Sequence, residues 1–408
     1  MKKNIPSTLF LLSLLIYSTH SYSQIWSQLI SGTTNHLIAV SAINIDTCYV
    51  AGSNGTILKT TDGGLNWINQ PTPTSQILYA MDFLNSNNGF AVGDNGALLK
   101  TINGGATWTS IFVTSESFRS VKYFNSMQIV ITGGNGLIIK TTDGGTTWST
   151  VSTSTTSNIY GMKFTSSTVG YATCFNGNIL KTTDGGTTWT PSSSGVSTQL
   201  NTISFSGATN GFVVGASGVL RSTTDGGVTW STPAMTPTSD FFHCHGFLTP
   251  SNGFITGGNI STNTGVILET TDGGLTWTTY YPGTSRLCNV DFPDVFTGYA
   301  AGLNGTILKF KINGSGGMGT NDISANPQLL KAFPNPFSNF TSIDLSSLHL
   351  NGMASFKLFD VTGKCVKQED VSTTKILKIE KGELNAGVYY FNITSKDKQA
   401  AAGKIIIE

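Results

Sequence analysis

The sequence predicts an all-β chain, a seven-bladed β-propeller followed by a small C-terminal β-sandwich. Three observations carry this. The stretch Thr60-Thr61-Asp62-Gly63-Gly64-Leu65-Asn66-Trp67 returns at 141–148, 182–189, 223–230 and 270–277, with a weaker copy at 101–108. The acidic or amide position of each copy (Asp62, Asn103, Asp143, Asp184, Asp225, Asp272) recurs at steps of 41, 40, 41, 41 and 47 residues. Each copy is preceded by a short apolar run such as Ile57-Leu58-Lys59-Thr60 and followed by strand-favouring Thr and Trp. A period near 40 residues with four short strands per unit marks a propeller.

One unit reads as an inner strand (Leu78-Tyr79-Ala80-Met81-Asp82-Phe83), a second (Gly89-Phe90-Ala91-Val92-Gly93), a third (Leu98-Leu99-Lys100) and an outer one starting at Trp108. The repeated stretch is the turn before the outer strand. Its Asp accepts backbone N–H bonds, as an Asp in a turn does well. Its paired glycines supply backbone angles that a Cβ resists. Its Trp fills a gap against a neighbouring unit. Folding alone explains every one of these aspartates.

The repeat signature appears a last time at Ala301-Gly302-Leu303-Asn304-Gly305, and the turn that follows, at Asn313-Gly314, has no Trp after it. Trp26, near the start of the mature chain, has no turn of its own. A ring solves both: the strand around Trp26 completes the last unit. Seven turns then match the chain's 7 tryptophans, and no sheet edge is left open.

Residues 1–23 read as a secretory signal: Lys2 and Lys3, an apolar core from Leu9 to Tyr17, then Ser21-Tyr22-Ser23 before Gln24. The apolar run is too short to span a bilayer, and no later stretch is long enough. The expected domains are 24–315 for the propeller, 316–330 for a Gly-rich linker and 331–408 for the second domain, where charges become denser. A net charge of +1 argues against a nucleic-acid partner, which demands a basic face. The 5 cysteines are odd in number and scattered, so they form no disulfide framework. A bridge between Cys244 and Cys288, on adjacent inner strands, is conceivable; buried free thiols are the plainer reading.

Two resemblances follow from these residues. Thr-Thr-Asp-Gly-Gly-x-Thr-Trp looks like the Asp-box of bacterial neuraminidase (BNR) repeats. The whole period, with Asn-Gly-x-Ile-Leu-Lys before the box, more closely resembles the photosystem II stability and assembly factor family, which implies seven blades over about residues 26–315. The sialidase site does not carry over, since the only arginines are Arg119, Arg221 and Arg286, and Arg221 stands where other units have Lys59, Lys100, Lys140 and Lys181. In the tail, Phe333-Pro334-Asn335-Pro336-Phe337, Leu358-Phe359-Asp360-Val361-Thr362-Gly363-Lys364 and Leu384-Asn385-Ala386-Gly387-Val388-Tyr389-Tyr390 resemble the type A C-terminal sorting domain of the type IX secretion system. The motif residues are Pro334, Asn335, Pro336, Gly363, Gly387 and Tyr389. This implies the type IX machinery as partner, passage across the outer membrane, and release or attachment at the cell surface.

Candidate chemistry centres on one inner-strand position, which reads Ile38, Tyr79, Arg119, Tyr160, Asn201, His243 and Cys288 around the ring. Variation at a fixed place near the channel mouth suits a ligand-reading surface; it also suits residues that merely line a wet channel. Tyr79 and Tyr160 can stack on a sugar or peptide, and Arg119, with nearby Arg286, can bind a carboxylate. Tyr79, Arg119, Tyr160, Asn201, His243 and Arg286 are the ligand-binding candidates. Tyr280-Tyr281-Pro282 offers further stacking surface. His243-Cys244-His245 is short of a zinc site, which needs three or four converging ligands, so neither metal nor cofactor is expected. A glycosidase needs two placed carboxylates, yet Asp82 and Asp291 occupy one repeated position, and no nucleophile motif appears. Insertions around 233–240 and 258–265 project from one face, where function tends to sit. The expectation is an exported, non-catalytic propeller that binds an unidentified protein or glycan; the alternative is a secreted glycan-cleaving hydrolase with a diverged site.

Overall fold

In the computed structural model, residues 23–233, 241–247, 251–294, 296–313, 328–330, 332–346, 348, 354–360, 365–371, 375–395 and 398–408 are described. The expected signal segment and Gly363 lie outside them. Seven antiparallel sheets follow one another in sequence order. Their inner strands are Leu37–Ala42, Leu78–Phe83, Phe118–Tyr123, Ile159–Phe164, Leu200–Phe205, Phe241–Phe247 and Leu287–Asp291. Each touches the next, and the last touches the first, so the blades, numbered 1 to 7 in that order, form a closed ring. The fifth blade has three strands plus a bridge from Ser222 to Ser231 among the described residues; the others have four.

Blade 7 is completed by the first described strand of the chain. Ser23–Leu29 runs antiparallel to Ile307–Asn313, with Trp26 opposite Phe310 and Ser27 opposite Lys309. Trp26 packs edge-on against Phe254 of blade 6, with ring centroids 5.8 Å apart. The next seam is apolar too: Tyr299, Ala301 and Ile307 of blade 7 pack with Leu37, Val40, Val50 and Leu58 of blade 1.

The repeated turns explain their own composition. In blade 3, Thr141 Oγ1 donates to Asp143 Oδ1 (2.7 Å), while Thr147 Oγ1 donates to Asp143 Oδ2 (2.6 Å) and Thr147 N–H to Oδ1 (2.9 Å). Gly144 and Gly145 lie at φ 73° and 87°, a region that side chains with a Cβ disfavour. The carbonyl of the turn's first glycine then receives a lysine from the preceding blade. Lys59 Nζ donates to Gly104 O (2.8 Å), Lys100 to Gly144 O (2.8 Å), Lys140 to Gly185 O (2.9 Å) and Lys181 to Gly226 O (2.9 Å). Lys309 of blade 7 reaches Gly63 O of blade 1 and carries the series across the closure. Arg221 breaks it: its Nε is buried with no partner.

The tail forms a five-stranded and a three-stranded sheet around one core that includes Ile343, Phe356, Leu358, Ile379, Phe391, Ile393 and Ile405. Its motif residues serve this sandwich. Asn335 Nδ2 donates to Lys404 O (2.9 Å), and its Oδ1 accepts Ile406 N–H (2.7 Å), pinning the Pro-Asn-Pro turn to the terminal strand. Tyr389 Oη donates to Asn385 O (2.9 Å). No described helix is long and apolar enough to cross a membrane.

Candidate functional site

Every inner strand carries a β-bulge where it pairs with the second strand. The register slips between Leu37 and Ala39, Leu78 and Ala80, Phe118 and Ser120, Leu200 and Thr202, Phe242 and Cys244, and Leu287 and Asn289. In blade 4 it slips across two residues, between Ile159 and Met162. The skipped residues are Ile38, Tyr79, Arg119, Tyr160 (with Gly161), Asn201, His243 and Cys288. A bulge frees one residue from the ladder and re-aims its side chain. The variable position of the sequence is therefore the bulge position.

A glycine on the second strand makes the bulge possible. A Cβ on Gly52, Gly93, Gly133, Gly215 or Gly302 would stand 1.8, 1.9, 2.2, 2.0 or 2.3 Å from the carbonyl oxygen of His36, Ile77, Ser117, Gln199 or Arg286. Those distances are impossible, so only glycine fits. Blade 4 has Cys174 at this place and the wider slip.

Six of the seven bulge residues open onto one cavity of about 500 Å³ at the axial end of the ring. Ile38, Tyr79, Arg119, Tyr160, Asn201 and Cys288 line it, with Met81, Val121 and Met162 below them and Gln199, Asn289, Arg286, Ile260 and Leu303 around the rim. Tyr79, Arg119, Tyr160 and Arg286 are partly exposed rather than buried between blades. Arg119 lies with its guanidinium carbon 3.8 Å from the centre of the Tyr79 ring and 5.9 Å from that of Tyr160. Asp94 fixes this stack: Tyr79 Oη donates to its Oδ2 (2.8 Å), and Arg119 Nη2 sits 3.5 Å from its Oδ1. Burial raises the Tyr79 phenol above its ordinary pKa, with Arg119 pulling the other way. The result is a rigid, flat, charge-balanced platform beside the open ring of Tyr160.

Arg286 stands apart. Its Nε donates to Asn263 Oδ1 (3.3 Å), and no carboxylate among the described residues pairs with it. It precedes the inner strand of blade 7, three blades round the ring from Arg119 in blade 3, and so faces the platform across the cavity. Asn263, at φ 54°, and Ile260 belong to the longer turn between Gly253–Asn259 and Thr264–Thr270 in blade 6, the described part of the two insertions.

Of the expected candidates, Tyr79, Arg119, Tyr160, Asn201 and Arg286 share this cavity. The side chains of His243, Cys244 and His245 lie outside the described residues. Cys288 is a free thiol, pushed up to about 12 by burial, so no bridge to Cys244 forms. Tyr280 and Tyr281 are exposed but do not line the cavity. No cluster of metal-ligating side chains occurs among the described residues. Sequence reasoning missed Asp94, Gln199, Ile260 and Asn263. The signal for Asp94 was present: blade 2 alone has an acid before Asn-Gly in the turn where other blades have Ser53, Gly134, Ala216 or Leu303.

Fold and site together define a seven-bladed propeller with a bulge-lined axial funnel, joined to a β-sandwich tail. The propeller is similar to the photosynthesis system II assembly factor YCF48, whose family model matches residues 66–156 and 147–238; the secretion system C-terminal sorting domain model matches residues 331–408. Among solved structures, YCF48 bound to D1 peptide is 21% identical with a TM-score of 0.60, covering 71% of this chain and 94% of that one. YCF48 from Cyanidioschyzon merolae is 18% identical with a TM-score of 0.58, covering 70% of this chain and 98% of that one. A GH74 enzyme from Niastella koreensis is 18% identical with a TM-score of 0.59, covering 79% of this chain and 59% of that one. At these identities the likenesses show the fold alone. No curated protein matches the chain.

Proposed function

We propose that this chain is an exported binding protein that captures a protein or glycan in the axial funnel of its propeller. The observation that carries the reading is the row of bulges. Seven strands give up ladder pairing at one level, and the side chains so released include two tyrosines, an arginine and an asparagine. The sorting domain supports export, or attachment at the outer surface, through the type IX machinery. The last propeller strand, Ile307–Asn313, starts next to Leu303 on the funnel rim and runs away from it.

Hydrolysis is the less favoured reading. Among the described residues the cavity lining includes no Asp or Glu, and Asp94 is engaged by Tyr79 and Arg119. Asp82 and Asp291 sit at the far ends of their strands and accept N–H bonds from Tyr123 and Ala42 of the next blade, both inter-blade ties. A pair of carboxylates flanking a substrate bond is what glycoside hydrolysis requires.

The test is a screen of the exported chain against a glycan array and a peptide library, repeated with Tyr160→Ala. Specific binders that Tyr160→Ala weakens are the expected result. Binders that ignore Tyr160→Ala would move the site off the funnel.

A further inference from the structure

We propose that the ligand is an acidic glycan, a uronate-containing oligosaccharide, with its carboxylate on Arg286 and a sugar ring on the Tyr160–Arg119–Tyr79 platform. The proposal rests on the funnel being a binding site, and deepens that reading.

Charge places the acid. Arg119 is paired with Asp94, so its charge is largely cancelled before any ligand arrives. Among the described residues Arg286 has a neutral amide partner and no carboxylate. A guanidinium offers a planar fork that matches a carboxylate. The anion site is therefore on the blade 7 side, across the funnel from the aromatic platform. A ligand must present a carboxylate at one end and a flat apolar face at the other.

Side-chain type places the sugar. Between these poles the lining carries the amides of Gln199, Asn201 and Asn289. Such groups offer a donor and an acceptor on one short side chain, suited to neighbouring hydroxyls. Gln199 Nε2 already donates to Asn201 Oδ1 (2.7 Å), which holds the pair in register. Below lie Met81, Val121 and Met162, a soft apolar floor for the C–H face of a pyranose. The cavity of about 500 Å³ is large enough for a short oligosaccharide. An extended acidic peptide would leave this belt of amides facing its side chains. A nucleic acid would want a basic field that a chain of net charge +1 does not supply.

The experiment uses the full exported chain and isothermal titration. The probes are tri- to hexamers of galacturonate, guluronate and glucuronate-containing glycans, the methyl-esterified galacturonate oligomer, and an acidic hexapeptide. At least one uronate oligomer should bind about tenfold more tightly than its neutral ester. Arg286→Gln should erase that preference, bringing the affinity for the acid down to that for the ester. Tyr160→Ala should weaken acid and ester alike. Thermal melting of each variant checks that it is folded. Ester and acid binding equally, or Arg286→Gln leaving the preference intact, would overturn the acidic-glycan proposal but leave the funnel as a glycan site. Preference for the hexapeptide, or no binding by any uronate oligomer, would overturn it too. Failure of every glycan and peptide on the arrays would take the funnel reading down with it.

Discussion

Gly133 and Gly134 are neighbours in sequence and opposites in physics. A Cβ on Gly133 would lie 2.2 Å from the Ser117 carbonyl oxygen, whereas one on Gly134 would meet the tip of the Glu116 side chain at 3.3 Å and make ordinary contacts with Asn158 Oδ1 and Ser117 O at 3.7 Å. Gly133→Ala must push the strand bearing Arg119 away, which costs about 1–3 kcal/mol as overpacking does. A melting temperature lowered by a few degrees is expected, with loss of ligand binding. Gly134→Ala, although at a buried site, meets a flexible carboxylate instead of backbone and should cost less than Gly133→Ala. Equal effects from the two would refute the role given to the close approach. The glycine was visible in the sequence as part of the repeat, and so was the variable residue after the inner strand's first apolar one. The link between them was not, because a bulge is a property of two strands in register and neither strand announces it. Arg286 was singled out for its charge alone; that Arg119 is neutralised and Arg286 is not depends on Asp94, which arrives from a turn rather than a strand.

Turns are the elements most clearly written in this chain, and the reason is chemical saturation. Each turn's carboxylate spends both oxygens on the turn itself. Asp143, Asp225 and Asp272 are held down to about 2, chiefly by the hydroxyls of Thr147, Thr229 and Thr276. Asp62 is held to about 2 chiefly by the Asn66 N–H, and Asp184 is lowered as well, chiefly by the Thr188 hydroxyl. A carboxylate whose folded pKa is below its unfolded value stabilises the fold above the unfolded value, near 3.8, and loses that contribution as pH falls toward 2. Buried Asp291 and Asp294 are shifted up and act in the opposite sense, so the total curve mixes both. The difference between parent and Asp143→Asn isolates one turn. It should be flat from pH 7 to about 4.5 and shrink as pH falls from 4 to 2 in calorimetric melts. A difference that does not change with pH would contradict the saturated-carboxylate account. Nature supplies the control in blade 2: Asn103 Oδ1 accepts Thr107 N–H (3.0 Å) and its Nδ2 donates to Thr107 Oγ1 (2.9 Å), so the turn closes without a charge. Asp143→Asn should therefore fold, and Asp143→Ala should melt lower than Asp143→Asn at neutral pH.

The whole ring depends on a pairing between its two ends. Ser27 Oγ donates to Lys309 O across 282 residues of sequence, a separation that makes this contact the most entropically costly to form. It was nonetheless legible, because an orphan Trp and a turn lacking one could be counted. What counting could not supply is the order of events. Blades 1 to 6 each complete themselves from consecutive strands, so they can form while the ends are still apart. Closure then adds Trp26 to rings already in place, those of Phe254, Phe292 and Phe310, with centroids 5.8, 6.2 and 5.2 Å away. Trp26→Ala should cost about 3 kcal/mol, the low end for a tryptophan truncation because the side chain is only partly buried. If closure is late, that loss falls on the unfolding rate, since contacts absent from the transition state slow escape and not formation. Stopped-flow chevrons should show unfolding faster by about a hundredfold and refolding nearly unchanged. A variant that instead refolds slowly and unfolds at the parent's rate would mean that the ends meet first and the blades assemble onto a closed loop. An open ring would also expose the unpaired edge of Ile307–Asn313, so a chain lacking Ser23–Leu29 should associate through that edge.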